Sequence, residues 1–200
     1  MSKPDPSLFT LQQLVIDLAL IDRNHHLAGQ ERNENDIEHS FTVALLCWFI
    51  HDKYATTLNL TKILQYALTH DFVEVYAGDV NTFASAEARK QKEVDEKKSL
   101  DKLSEEFKAF PGMVTTMQNY EAQRDEEALF VWTVDKMQGL ILGDMDSWRP
   151  YKKINVTYEA FLKKHSEQLA KCSPYCKEIF AVLFDYCKTT FYDRPTTKVK

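Results

Sequence analysis

His39, the doublet His70-Asp71 and Asp135 are the residues of this chain best suited to shared chemistry. Imidazole nitrogen and carboxylate oxygen together suit a divalent transition ion. Two His and two Asp would supply four protein ligands and two negative charges, and an octahedral ion would keep two positions for water and a substrate oxygen. His70 and Asp71 are neighbours, about 100° apart around a helix, so a metal beside that helix is within reach of both. His39 and Asp135 must then come from helices packed on either side, which places the site inside a bundle. Singly, such residues are also met as hydrogen-bonded groups in apolar helices, and a bare His-Asp dipeptide is a weak signal. The second copy here, His51-Asp52, follows an apolar run and is trailed by Lys53 and Tyr54, so we read it as a solvated helix end.

The surroundings of the first doublet are more specific. It stands in Thr69-His70-Asp71-Phe72-Val73-Glu74-Val75-Tyr76-Ala77-Gly78-Asp79, with Glu34-Asn35-Asp36-Ile37-Glu38-His39-Ser40 upstream and Val134-Asp135-Lys136 downstream. Glu74 lies one helical turn beyond His70 on the same face, and Asp79 follows the expected helix end at Gly78. Paired carboxylates beside a metal can divide acid and base work when their surroundings separate their pKa values.

From Arg23 to Leu142 these residues and their order resemble the HD-domain metal-dependent phosphohydrolases, and within them the HD-domain 5′-nucleotidases that act on deoxyribonucleoside monophosphates. The resemblance implies that His39, His70, Asp71 and Asp135 hold one divalent ion, for which manganese, cobalt, zinc and iron all fit. It implies Glu74 as the catalytic acid and Asp79 as the residue orienting water or sugar. Arg23, with Arg32 second, would lie against the phosphate, since guanidinium fits phosphate geometry with two parallel hydrogen bonds. Lys90 is a weaker candidate for the same task. Where the family carries an aromatic residue after that Arg, this chain has Asn24, followed by His25 and His26, which could stack on a sugar or base. No His stands between Asp71 and Asp135, where two-metal relatives carry further ligands, so a mononuclear site is expected.

The implied reaction is hydrolysis of a nucleoside 5′-monophosphate, a deoxy one by resemblance, through attack of a metal-activated water. Two alternatives are a non-catalytic metal- and nucleotide-binding sensor or scaffold, and a phosphatase for another small phosphate ester. Glu74 and Asp79 speak against the sensor, since a pure binding module has less need of them.

The elements that must position these residues are helical. With five glycines and six prolines, the prolines falling between periodic segments, the pattern favours an all-α, single-domain, irregular helical bundle over residues 1–200, with a core over 23–145 and C-terminal helices over 156–192. Helices are expected through Leu8–Ile21; from Asp36 as N-cap, with Ile37, Phe41, Ala44/Leu45 and Trp48/Phe49 on one face; and from Ile63 to a stop near Gly78. The segment Asp22 to Arg32 reads as a polar loop. The Lys/Glu-rich stretch Ala86–Phe107 reads as a solvated helix broken by Pro111-Gly112. Further helices are expected from Tyr120 to Met145, with Pro150 ending that region, from Tyr158 to Leu169, and from Ser173-Pro174 as cap and first turn.

Hydrophobic residues at 44% and charged residues at 28% mark a soluble globular chain large enough for a substantial core. A net charge of −5 and a pI near 5.7 argue against duplex nucleic acid as a partner. No uncharged apolar run is long enough for a membrane span. Met1 to Ser7 lacks a signal-peptide pattern. Cys47, Cys172, Cys176 and Cys187 match no zinc spacing, and reduced thiols in a cytoplasmic protein are expected. The aromatic residues Phe180, Phe184, Tyr186, Phe191 and Tyr192 could be core or the interface of a homodimer.

Overall fold

Caps and breakers set the ends of the elements that carry the candidate ligands. The computed structural model describes residues 3–54, 56–79, 83 and 85–191. Helix α1 (Ser7–Ala19) leads into an antiparallel hairpin of β1 (Asp22–His26) and β2 (Asn33–Asn35). Then come α2 (Asp36–Lys53), α3 (Leu60–Thr69), the single turn α4 (Glu74–Ala77), α5 (Ala86–Glu106) and α6 (Pro111–Glu121). The chain continues through α7 (Glu126–Met145), the short α8 (Arg149–Lys153), α9 (Tyr158–Lys171) and α10 (Lys177–Thr190). The architecture is all-α and single-domain, the hairpin being its only sheet among the described residues. No helix in them is long and apolar enough to cross a membrane.

Several boundaries differ from the sequence expectation, each for a local reason. The N-cap of α2 is Asn35, not Asp36: its side chain accepts from the Glu38 amide while Glu38 reaches back to the Asn35 amide, a complete capping box. The helix expected from Ile63 to Gly78 is interrupted. It ends at Thr69, residues 70–73 form a turn, and α4 closes at Gly78, whose φ of 74° suits glycine. Pro111 does separate α5 from α6, but it does so as the first residue of α6, where its missing N–H costs nothing. Tyr120 therefore belongs to α6, and α7 starts only after Asp125, whose side chain accepts from the Ala128 amide. Pro150 lies within α8 rather than ending a helix. The last helix starts at Lys177; the Ser173 amide instead donates to Thr133 Oγ1 across to α7. The polar loop of 22–32 is half of a hairpin.

Helices α2, α3 and α7 pack on one another, and α10 and β1 pack on α7. Their shared core runs from Val43 and Cys47 through Ile63 and Phe130 to Trp148, Phe161, Phe180 and Phe184. Gly143 admits Trp148: a Cβ there would meet the indole at 2.7 Å. A second, smaller core joins α1, α5 and α6 through Leu14, Leu18, Phe72, Val73, Leu103 and Met117. The doublet His70-Asp71 stands between Ala67 of the first core and Phe72 of the second.

The face of α2 turned inward is only in part the expected one, Ala44 being common to both. Val43, Ala44, Cys47 and Ile50 are buried, whereas Phe41, Leu45, Trp48 and Phe49 are exposed. The inward face also carries His39, and its small side chains allow close approach to α3 and α7. Of the C-terminal aromatics, Phe180, Phe184 and Phe191 are core and Tyr186 is exposed, while Tyr192 lies outside the described residues. Cys47, Cys176 and Cys187 are buried and Cys172 is half-buried.

Candidate metal centre

Three elements converge on one point. Asp36 and His39, three residues apart at the start of α2, face inward together. The turn after α3 presents His70 and Asp71, and Asp135 comes from the middle of α7. His39 Nε2 lies 3.2 Å from His70 Nε2, 3.2 Å from Asp135 Oδ1 and 3.4 Å from Asp71 Oδ2; His70 Nε2 lies 3.2 Å from Asp71 Oδ2. Donors about 2.1 Å from a common ion are separated by about 3.0 Å at octahedral and 3.4 Å at tetrahedral angles, given ordinary nitrogen and oxygen bond lengths. These four spacings fall in that interval; the ligand atoms of His39, His70 and Asp135 all lie within 4.8 Å of one another, while Asp71 groups instead with Asp36 and Glu74.

The donor set itself fits a cation. His70 Nδ1 lies 2.9 Å from the Ala67 carbonyl, which fixes that nitrogen as the N–H donor and leaves the Nε2 lone pair aimed at the cluster. His39 Nδ1 faces Glu34 Oε2 at 3.5 Å, and Glu34 is held by Gln138 Nε2 at 3.0 Å. The two ring nitrogens and two carboxylates face one another inside the protein, with Asp135 also paired to Lys136 Nζ at 2.6 Å and Asp71 to Arg23. His39, His70 and Asp135 can hold a metal ion. Without one, burial and Arg23 oppose a charge on His39, yet Asp135, Glu34 and Asp71 push its pKa up to about 9. Burial also opposes ionisation of Asp71 and Asp135, but His70 and Arg23 beside the former, and Lys136 and His39 beside the latter, hold both well below the usual carboxylate range.

Beside the cluster lies a second group of carboxylates, Asp36, Asp71 and Glu74, and there the cation is Arg23. Its guanidinium contacts Asp36 Oδ1 at 3.1 Å, Asp71 Oδ2 at 2.5 Å and Glu74 Oε2 at 3.6 Å. Glu74 also takes Lys92 Nζ at 2.9 Å. Burial, then the charge of Asp71, push the Glu74 carboxyl up to about 9, against the opposing charges of Arg23 and Lys92. Burial and Asp71 likewise push Asp36 up to about 6.

The structure brings Arg23, His39, His70, Asp71, Glu74 and Asp135 together. Asp79 lies at the rim, where its Oδ2 accepts from the backbone amide (3.0 Å) and side chain (2.8 Å) of Asn24, the residue in place of the family's aromatic. Arg32 is not brought there: it pairs with Glu38 at the capping box, more than half exposed. Lys90 is exposed, and the lysine of α5 that reaches the site is Lys92, two positions on. His26 Nδ1 faces Asp146 Oδ2 at 3.3 Å, away from the cluster. His25 lines the site, its ring 5.8 Å from that of Tyr151, and burial together with Arg23 lowers its pKa to about 4. Sequence reasoning passed over Lys92, Gln138, Tyr151 and His165. Only Gln138, three residues beyond Asp135 on one helix face, left a signal that spacing could have found.

A family model described as HD domain matches residues 17–177. Among solved structures, a protein from Magnetospirillum magnetotacticum MS-1 described as a predicted metal-dependent phosphohydrolase superimposes with a TM-score of 0.75 at 24% identity, over 96% of this chain and 100% of that one. A conserved hypothetical protein from Pyrococcus furiosus superimposes with a TM-score of 0.59 at 23% identity, over 88% of this chain and 98% of that one. At these identities the likeness is one of fold. No curated protein sequence matches the chain.

Proposed function

The chain belongs to the HD domain family, and from that premise we propose that it is a metal-dependent phosphohydrolase removing phosphate from nucleoside 5′-monophosphates, deoxyribonucleotides foremost. The observation that carries the reading is the buried group His39, His70 and Asp135, with Asp71 against both histidines and the buried carboxyl of Glu74 beside Asp71. The description of the Magnetospirillum protein as a metal-dependent phosphohydrolase supports the same chemistry.

His39, His70, Asp71 and Asp135 would hold one divalent ion, manganese, cobalt, zinc or iron. When bound, such an ion supplies Lewis-acid charge at phosphate oxygen and acidifies a water at neutral pH. Arg23, fixed by three carboxylates, presents its remaining N–H groups to the phosphate. Glu74 Oε donates its proton to the departing 5′-oxygen, which leaves as a hydroxyl. Lys92 then faces the new carboxylate and steadies it. Asp79, held by Asn24, orients the water or the sugar at the rim.

The test is phosphate release from a panel of ribo- and deoxyribonucleoside monophosphates with manganese, cobalt, zinc or magnesium, the wild type beside Asp71→Ala and Glu74→Ala. We expect metal-dependent release that both substitutions abolish. No release from any monophosphate while metal is demonstrably bound overturns the reading and leaves another phosphate ester or a non-catalytic sensor.

A further inference from the structure

Next to the His39–Asp135 edge of the cluster is a small pocket also lined by His25, His165 and Gln168. Two buried ring nitrogens there, His25 Nε2 and His165 Nε2, have no hydrogen-bond partner in the protein. An unpartnered buried polar atom is costly, and such atoms in a native fold call for a ligand or a water. His165 is 3% exposed, and its Nδ1 lies 2.7 Å from Gln168 Oε1. A carbonyl oxygen only accepts, so Nδ1 carries the proton and Nε2 of the neutral ring presents a lone pair. Burial lowers the pKa of His165 to about 4, as it does for His25, so neither ring is a cation at neutral pH.

We propose that this pocket is a sugar-hydroxyl subsite, in which His165 and His25 hold the leaving-group side of the substrate. The proposal rests on the phosphomonoester reading above and deepens it. A dianionic phosphate monoester offers only acceptors and cannot satisfy the lone pair of His165. A hydroxyl both donates and accepts, so it satisfies His165 and also His25 in either tautomer. Adjacency to the chemistry favours the sugar over the base. The pocket is lined by two of the candidate ligands and by Arg23, so a group inside it lies directly beside the cluster. The adjoining pocket, which shares Arg23, His25 and Tyr151 and continues past Asp79 to Phe83 and Ile154, leaves room outward for a base. Neither His165 nor its partner Gln168 touches the candidate ligands in hydrogen bonding, so their role is specificity rather than metal binding.

Two readouts test this. In the first, kcat/KM is compared for ribo-, 2′-deoxy- and 2′,3′-dideoxynucleoside monophosphates of one base. A site built to pair a hydroxyl rejects the analogue lacking it, and we expect the dideoxy compound to fall by about tenfold or more. His165→Phe and His25→Phe should collapse that ratio toward one. Equal handling of all three substrates by the wild type, or a ratio that persists in both variants, overturns the proposal. The second readout needs neither turnover nor a variant: imidazole ¹⁵N resonances of the zinc-loaded protein with added ribose 5-phosphate or inorganic phosphate. We expect ribose 5-phosphate, and not inorganic phosphate, to move His165 Nε2. A shift with inorganic phosphate alone, or with neither, overturns the subsite. If the shift is seen while no monophosphate is hydrolysed, the subsite stands and the phosphohydrolase reading falls.

Discussion

Two regions joined by α7 and Tyr151 are built on opposite principles. At the metal centre, buried side chains are held by charge: Asp36, Asp71, Glu74 and Asp135 converge on His39, His70 and Arg23. Below it, Trp148, Tyr151, Phe161 and Phe191 pack as aromatic rings with centroids 4.1–6.4 Å apart, mostly edge to face. The aromatic region is held chiefly by ring contact, with the Trp148 Nε1 donor left without a protein partner. The polar region concentrates like charges whose desolvation is repaid only in part by their protein partners. One is held by packing; the other is held by charge.

The largest effect should come from breaking the support. Trp148 and Phe161 are fully buried, and either Trp148→Ala or Phe161→Ala should lower unfolding free energy by about 3–5 kcal/mol in urea titration. If the two regions are built separately, the gain on adding metal should survive in these variants. Its loss would show that the aromatic region shapes the ligand cluster and would end the distinction.

Metal addition should have the next largest effect. A ligand that binds only the native state at a hundred times its Kd adds about 2.7 kcal/mol. We expect a rise of that order for the wild type and none for Asp135→Asn, measured by thermal melts with and without chelator.

His165 of the aromatic region and Glu74 and Asp36 of the polar region should also differ in the sign of their pH dependence. His165, packed on Phe161 with centroids 4.7 Å apart, has its pKa lowered to about 4 from 6.5 by burial. The unfolded chain binds that proton more readily, so the stabilisation is fully present above pH 6.5 and lost as pH falls toward 4. Its size is about 3 kcal/mol at most, from the free energy of one pKa unit. In the metal-free protein, Glu74 and Asp36 have pKa values raised to about 9 and about 6. Their contribution is fully present below the ordinary carboxylate range and lost as pH rises through those values. Urea titrations of the metal-free protein from pH 4 to 9 should therefore show His165→Phe flattening the acid limb and Glu74→Gln flattening the basic limb. Both substitutions acting on the same limb would refute the contrast.

The polar region was the more legible of the two in sequence. Ligand order survives any error in helix boundaries, so His39, His70, Asp71 and Asp135 could be singled out as candidates in sequence although α3 stops at Thr69 and α7 starts after Tyr120. What failed were inferences from bulk hydrophobicity. Phe41, Trp48 and Phe49 point outward because the inner face of α2 must deliver His39 and approach α3 closely. The hairpin was hidden because its strands are short and polar on both faces, without the alternation that marks a strand. His165 was invisible for another reason: a single His near the end of the chain has no spacing partner, and its meaning comes only from the pocket it closes.

The smallest effect is expected at Arg32, where sequence offered two arginines for one phosphate. Arg23 is 14% exposed and engages three carboxylates; Arg32 is 55% exposed and engages Glu38 alone beside the capping box. Water screens the exposed pair, whereas the buried guanidinium acts through low-dielectric surroundings. Arg32→Ala should leave the melting temperature and the affinity for inorganic phosphate at wild-type values. Arg23→Ala, which leaves Asp36 and Asp71 without their cation, should weaken phosphate binding by about tenfold or more, the scale of a charge-assisted contact. Isothermal titration of the metal-loaded proteins with phosphate distinguishes the two, and a matching loss in Arg32→Ala would place the anion at the hairpin end of α2 rather than at the ligand cluster.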